Sequence, residues 1–441
     1  MVGDTHAQYQ YTIFILIYTI QITHTHNIMH NTRKVKRCST AKMLRKASNC
    51  KHTRKPRSRG GKVVGSGGFG CVFRPALRCK SKKQRHDNTV SKLMVKKYIQ
   101  TERKNIRDIE KQVKSIPNYQ RYFLVGNIST CAPGELTESD LENFNDKCGP
   151  LKKRNITSKN VNENLDKLSV INLPDGGITM NNVFARVRGV NDLVGINRLM
   201  LDLYIHGIIN LNKESVFHAD IKADNMLYNP ATDNVGLIDW GLSFYGKRKV
   251  IPKIIQNKPI QFNLPFSVLL LDKRFHTSYE SFLSDLRKNE NGGTDDDLAE
   301  FLLDYVNECI EKRKGHIDTV ERIWKYVARG SGDRDTTKTT DVIADIIVPY
   351  LLRIVKKFTV DVSRKKRKFD KDAYFFTVFL DNMDTWGFAM TYAPVLEKNL
   401  FGYRDTMASI FNTYLLEGAA EPIDKVGMVK ALYSDITYER D

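Results

Sequence analysis

His218-Ala219-Asp220-Ile221-Lys222-Ala223-Asp224-Asn225 is followed by Asp239-Trp240-Gly241, with Asp239 fourteen positions after Asn225 and an apolar lead-in, Val235-Gly236-Leu237-Ile238. Two carboxylates, an amide and a lysine at these spacings suit the acceptance of a hydroxyl proton while divalent cations are held against a triphosphate. Any one of these side chains could be an ordinary surface or core polar group. The upstream sequence decides between the readings.

Working outward toward the N-terminus, Gly65-Ser66-Gly67-Gly68-Phe69-Gly70-Cys71-Val72 has the form G-x-G-x-x-G-x-V. Glycines are needed where backbone N–H groups must approach phosphate oxygens without an intervening Cβ. A dinucleotide-binding turn shares this spacing, but it should open a helix and place an acid about 20 residues on. Here a second strand with a central lysine follows instead, Val90-Ser91-Lys92-Leu93-Met94. A lysine among apolar strand residues costs desolvation unless its ammonium meets a phosphate and a carboxylate. The next segment, Thr101 to Ile116, has helical periodicity through Ile106, Ile109, Val113 and Ile116 and offers two acids, Glu102 and Glu110. Glu102 is in register with the apolar stripe and is the favoured partner of Lys92; Glu110 is the alternative.

These four stations in order (glycine loop, lysine, H-x-D-x-K-x-x-N and D-W-G) resemble the eukaryotic-type protein kinases, in particular the divergent serine/threonine kinases of large nucleocytoplasmic DNA viruses. The resemblance spans about residues 63–241 and implies an α+β, two-lobed fold: a small β-rich lobe with its hinge over 63–177, and a large helical lobe over 178–441 with a helical insertion at about 268–375. It also implies ATP as co-substrate and Mg²⁺ as cofactor. Gly65, Ser66, Gly67, Gly68 and Gly70 would cover the phosphates, and Lys92 would orient the α/β-phosphates with Glu102 beside it. Val72 and Val90 would cap the adenine and Leu227 would form its floor. Ile171 would stand at the back of the pocket, and residues 172–174, beside Leu173, would form the hinge. Asp220 would be the catalytic base, Lys222 would neutralise the transferred phosphoryl group, and Asn225 and Asp239 would be the metal ligands.

The chain departs from that pattern in several places. Ala219 stands where an arginine is usual, so the pocket that reads a phosphorylated activation segment should be missing and activity should not require that modification. Trp240 replaces the usual Phe and should pack beside His218 and Ile106. Asn263-Leu264-Pro265-Phe266-Ser267 replaces the A-P-E triplet. Asp384-Thr385-Trp386-Gly387 resembles the start of the central large-lobe helix, whose aspartate fastens the catalytic loop; an ordinary helix N-cap is the alternative. Pro174, at the expected hinge, has no N–H to offer adenine.

Length and composition allow two or three domains, or one large two-lobed enzyme with a tail. The 441 residues are 41% hydrophobic with 27 Gly and 13 Pro, which excludes collagen-like and wholly disordered classes. The net charge of +20 is concentrated: residues 33–62 hold thirteen Lys or Arg and no acid, and with Asp4 before them leave the rest of the chain at +8. This stretch reads as a disordered basic arm, a solvated tail or a docking element for acidic protein, nucleic acid or anionic lipid. The basic run SRKKRK at 363–368 admits the same readings. Tyr9 to Ile22 is too short and polar to span a membrane and lacks the flanks of a secretory signal, so neither a span nor export is expected. The first 32 residues also fit a later start of synthesis, at Met29 or Met43.

Seven cysteines without a C-x-x-C pair, odd in number, argue against a disulfide framework or zinc site and for a reducing, intracellular compartment, host cytoplasm or virion if the chain is viral. A monomer acting on protein substrates is expected. Rival readings are a small-molecule kinase of the aminoglycoside or choline type, against which Lys222 and the glycine loop weigh; a pseudokinase scaffold, to which the departures point but against which the retention of every phosphate-, metal- and proton-handling residue weighs; and a nucleic-acid-binding protein, resting on the basic runs alone.

Overall fold

The computed structural model describes residues 61–67, 69–81, 88–246, 250–287, 294–328, 341–363 and 366–437. The apolar stretch at 9–22, the basic arm up to residue 60 and Gly68 lie outside them. The chain is mixed α+β, with a small antiparallel sheet region near its start and a mostly helical remainder.

Five strands form the main sheet: β1 (Lys62–Gly67), β2 (Gly70–Arg74), β3 (Thr89–Val95), β4 (Ser129–Cys131) and β5 (Leu168–Pro174), in the order β1-β2-β3-β5-β4. Alternation sorts their side chains onto two faces. Val63, Cys71, Phe73, Leu93 and Val170 pack on one side with Phe144, Leu151 and Val161, whereas Met94 and Ile171 meet Ile99 on the other. Because both faces are covered, β3 is buried from Val90 to Met94, including Ser91 and Lys92. Gly70 is fixed by packing rather than by φ: a Cβ there would overlap the Leu93 carbonyl oxygen and lie 2.9 Å from Met94 Cβ. Gly70→Ala is therefore expected to destabilise the fold by about 1–3 kcal/mol, measured by denaturant unfolding.

The helix α1 (Lys96–Val113) starts and ends earlier than the periodicity alone suggests, and buries Ile99, Ile106, Ile109 and Val113 as one stripe. Ile116 is buried just past its end. Between β4 and β5 lie four short helical pieces, Glu138–Leu141, Phe144–Lys147, Gly149–Lys152 and Asn162–Lys167. The expectation of no disulfides is overturned. Cys71 bonds Cys148 and Cys79 bonds Cys131, across 77 and 52 residues, so no local spacing announces them. The odd count leaves Cys309 buried and free, with Cys38 and Cys50 outside the described residues. The argument from cysteines to a reducing compartment falls with that expectation.

Downstream, α2 (Val190–Asp202) continues through a π turn, Leu203–Ile208, into Ile209–Lys213, so the apolar run around 191–211 is one helical rod. Three strands, β6 (Ile178–Thr179), β8 (Met226–Asn229) and β9 (Asn234–Leu237), make a second small sheet, and β7 (Val216–Phe217) pairs with β10 (Phe244–Tyr245). Asp295, Asp296 and Asp297 do not break the helical pattern. They form the first turn of the helix Asp295–Lys312, where acids favour the positive end of the dipole, and Thr294 closes a capping box with Asp297. Of the SRKKRK run, Ser363 ends β11 (Thr359–Ser363) and Lys366, Arg367 and Lys368 lie on β12 (Lys366–Phe369), which pairs antiparallel with β11 in an otherwise helical region; Arg364 and Lys365 lie outside the described residues. Among the described residues no helix is long and apolar enough to cross a membrane.

Candidate functional site

The glycine hairpin, the lysine strand and the D-W-G segment converge. Strands β1 and β2 pair with Gly67 opposite Gly70 and Gly65 opposite Val72, and Val72 in turn lies opposite Lys92 on β3. The position a Cβ on Gly67 would take is 3.6 Å from Asp239 Oδ2 and 3.8 Å from Lys92 Nζ. Three stations separated by up to 172 residues of chain thus meet at one point. Lys92 Nζ lies 2.5 Å from Glu102 Oε1, with both side chains nearly buried. Glu110 faces Gly126 instead.

Asp239 is exposed and has no ion-pair partner among the described residues. Its backbone is left-handed (φ 64°, ψ 71°). This conformation is sterically costly for a residue with a Cβ and is characteristic of functional turns. Trp240 packs against His218, ring centroids 4.9 Å apart, and edge-on against Phe123 at 5.5 Å. Ile106 joins the same core. His218 Nε2 lies 3.0 Å from the Ile238 carbonyl, which only accepts, so Nε2 carries the hydrogen and ties the H-x-D loop to the strand leading into Asp239.

Asp220 is nearly buried on the loop between β7 and β8. Its Oδ2 accepts from Lys222 Nζ at 2.8 Å and Asn225 Nδ2 at 2.9 Å, and its Oδ1 accepts from Asn263 Nδ2 at 2.9 Å. Asn225 Nδ2 also donates to the Asp220 carbonyl, at 2.8 Å. With its nitrogen committed twice, the Asn225 amide has its oxygen left for another partner. Asn225 Oδ1 and the Asp239 carboxylate are hard oxygen donors of the kind Mg²⁺ prefers, so the donor chemistry fits that ion.

The loop is fixed from below by Asp384, buried in α3 (Leu380–Met390). Its carboxylate accepts from the backbone N–H of His218 and Ala219, each at 2.9 Å, and from Asn212 Nδ2 at 2.8 Å. These bonds hold Ala219 in the left-handed region, φ 59°, while buried. Asp384 lies inside the helix and not at its start, so neither the expected helix-start placement nor the N-cap alternative describes it, although its carboxylate does fasten the loop. Gly387, one turn on, permits the close approach: a Cβ there would lie 2.8 Å from the Ile221 carbonyl oxygen and 3.2 Å from that of Asn263.

The apolar candidates are placed by strand register. Val90 pairs with Leu173 and Lys92 with Ile171 on β5, and Leu227 on β8 reaches the chain just past Pro174, where a Cβ on Gly176 would lie 2.7 Å from Leu227 Cδ1. Ser66 lies opposite Cys71 in the hairpin.

Two site residues escape the sequence reading. Asn263 stands out in the sequence only as part of N-x-P-F-S, yet it is the third hydrogen-bond donor to Asp220. Lys258 carries no sequence signal: it is almost fully buried, with an Nζ that has no hydrogen-bond partner among the described residues. Burial pushes its ammonium below the usual lysine range, opposed by the Asp220 charge and assisted by Lys222. Half-buried His316 is likewise lowered by burial and then by Lys222. No protein-family model matches the chain, and no curated protein matches it.

Proposed function

We propose that the chain is an ATP- and Mg²⁺-dependent protein kinase of the serine/threonine type, with the five-stranded sheet as its small lobe and the helical remainder as its large one. The observation that carries this reading is the meeting of Gly67, Lys92 and Asp239 at one point, with Asp220 tied to the same strand system through His218 and Ile238.

The roles follow from the geometry. Glu102 holds the Lys92 ammonium over the glycine hairpin, where it can neutralise phosphate oxygens. Asp220 is an acceptor-only carboxylate whose orientation is set by three donors, so it can take a hydroxyl proton from an acceptor side chain. Lys222, bonded to Asp220, is placed to follow the charge on the transferred group. Mg²⁺, held by Asn225 and Asp239, would neutralise triphosphate charge. Most of the acceleration then comes from positioning and preorganised charge rather than covalent chemistry. Ala219 has no side chain able to read a phosphorylated segment, so activity is independent of such a modification.

Asp239→Asn removes the negative charge from the metal pair. It is expected to weaken ATP binding in the presence of Mg²⁺ by about tenfold or more, while binding of ATP in EDTA changes little. Calorimetric titration with and without the metal checks this; equal loss in both conditions would remove the metal role.

A further inference from the structure

The stretch 250–265 passes beside the Asp220 carboxylate and carries two buried polar atoms that nothing among the described residues satisfies. One is the Lys258 ammonium nitrogen; the other is Asn263 Oδ1. A buried ammonium without a counter-ion is costly, because its hydration is lost with no Coulombic return. Asp220 and Lys222 are the charged groups whose fields reach Lys258. Asp220 attracts Lys258 through its field but forms no ion pair with it among the described residues, its Oδ2 being paired with Lys222 at 2.8 Å. Lys258 therefore sits in the field of the candidate base with a full set of donors and, among the described residues, no hydrogen-bond acceptor. Among its described residues the stretch has no helix or strand between Tyr245 and Phe266, and is tied to its neighbour by the His316 N–H to Ile260 carbonyl bond at 2.9 Å. Buried Ile251, Ile255, Ile260 and Leu264 anchor the stretch in the core and Trp386 Nε1 donates to the Phe262 carbonyl at 3.1 Å, so an incoming group reaches the lysine through a local opening around residue 258 and not through release of the whole segment.

We propose that Lys258 forms an anion subsite of the acceptor channel, taking a carboxylate or phosphate carried by the protein substrate close to its acceptor hydroxyl, with Asn263 Oδ1 accepting an N–H of the same peptide. This deepens the kinase reading and rests on it for the word substrate. The two sources of the anion, an acidic side chain or a phosphorylated one, share the chemistry of a negatively charged oxygen cluster meeting an ammonium.

The test uses the full chain and single-serine peptides carrying alanine, aspartate or phosphoserine at each of the three positions on either side of the acceptor, with affinity read by fluorescence anisotropy and transfer read in parallel. The wild type is expected to bind at least one anionic series about tenfold or more tighter than its alanine counterpart. Lys258→Met is expected to abolish that ratio, Lys258→Arg to keep most of it, and Lys258→Glu to reverse it. Lys312→Met, an exposed lysine at the end of the helix whose next residue, Arg313, bonds the Asn257 carbonyl, controls for nearby surface charge and keeps the wild-type ratio. ATP-induced thermal shift of each variant reports folding. Absence of any anionic preference in the wild type, persistence of the preference in Lys258→Met, or equal loss in Lys312→Met overturns the proposal. Preference dependent on Lys258 without phosphoryl transfer to any peptide leaves the anion subsite standing and removes the kinase reading. The aspartate and phosphoserine arms separate an acidophilic from a phosphate-directed channel.

Discussion

Asp220→Asn is expected to lower phosphoryl transfer by about 10²–10⁴-fold, the share usually carried by a positioned general base, while leaving nucleotide affinity essentially unchanged. The variant should also remain folded. The amide oxygen can replace Oδ2 and keep the bonds from Lys222 and Asn225. The amide nitrogen then faces Asn263, whose own Oδ1 has no partner among the described residues, so rotation of the Asn263 amide turns a donor–donor clash into a hydrogen bond. The rotation gives up the bond from Asn263 to the Ile221 carbonyl, 3.2 Å in the present arrangement. Steady-state transfer measured beside a nucleotide titration of the same preparation checks the prediction. Wild-type turnover in the variant would remove Asp220 from the chemistry.

Asp384→Ala should have the largest effect on stability. The substitution leaves three donors, the His218 and Ala219 N–H groups and Asn212 Nδ2, without their buried acceptor. At about 1–3 kcal/mol for each of the three unsatisfied donors, a loss of roughly 3–9 kcal/mol is expected if no water enters. Ala219 then also loses the bond that holds its left-handed backbone, so the H-x-D loop relaxes and transfer falls with stability. Asp384→Asn keeps one acceptor oxygen and should lie between the two. Urea unfolding of the three proteins provides the comparison; a loss below about 1 kcal/mol in the alanine variant would show that the loop is held by other contacts.

How much of the fold and site is legible in the sequence depends on how local each signal is. The glycine hairpin, the lysine strand and the H-x-D loop each carry their pattern within a dozen residues, and strand register alone then brings Val72 opposite Lys92 and Ile171 opposite Lys92 on its other side. Choosing between Glu102 and Glu110 requires only the phase of one amphipathic helix. The two cystines are not legible, because β2 and the segment carrying Cys148 become neighbours only when the short helices after β4 pack on the sheet. Lys258 is invisible for a related reason: an isolated lysine in an irregular stretch reads as solvated, and only the tertiary structure shows it buried beside Asp220. The acidic triplet at 295–297 reads as an interruption because its meaning, a first helical turn, depends on Thr294 acting as a cap.

We propose that these converging segments move a terminal phosphoryl group from ATP onto a protein hydroxyl. The most direct measurement is transfer of label from γ-labelled ATP by the purified full chain, offered a mixed protein pool and a metabolite pool in parallel, with Asp220→Asn beside it. Label is expected in protein serine and threonine, dependent on Mg²⁺ and absent with Asp220→Asn. Label in a small molecule, or none in either pool from a protein that binds ATP, would contradict it.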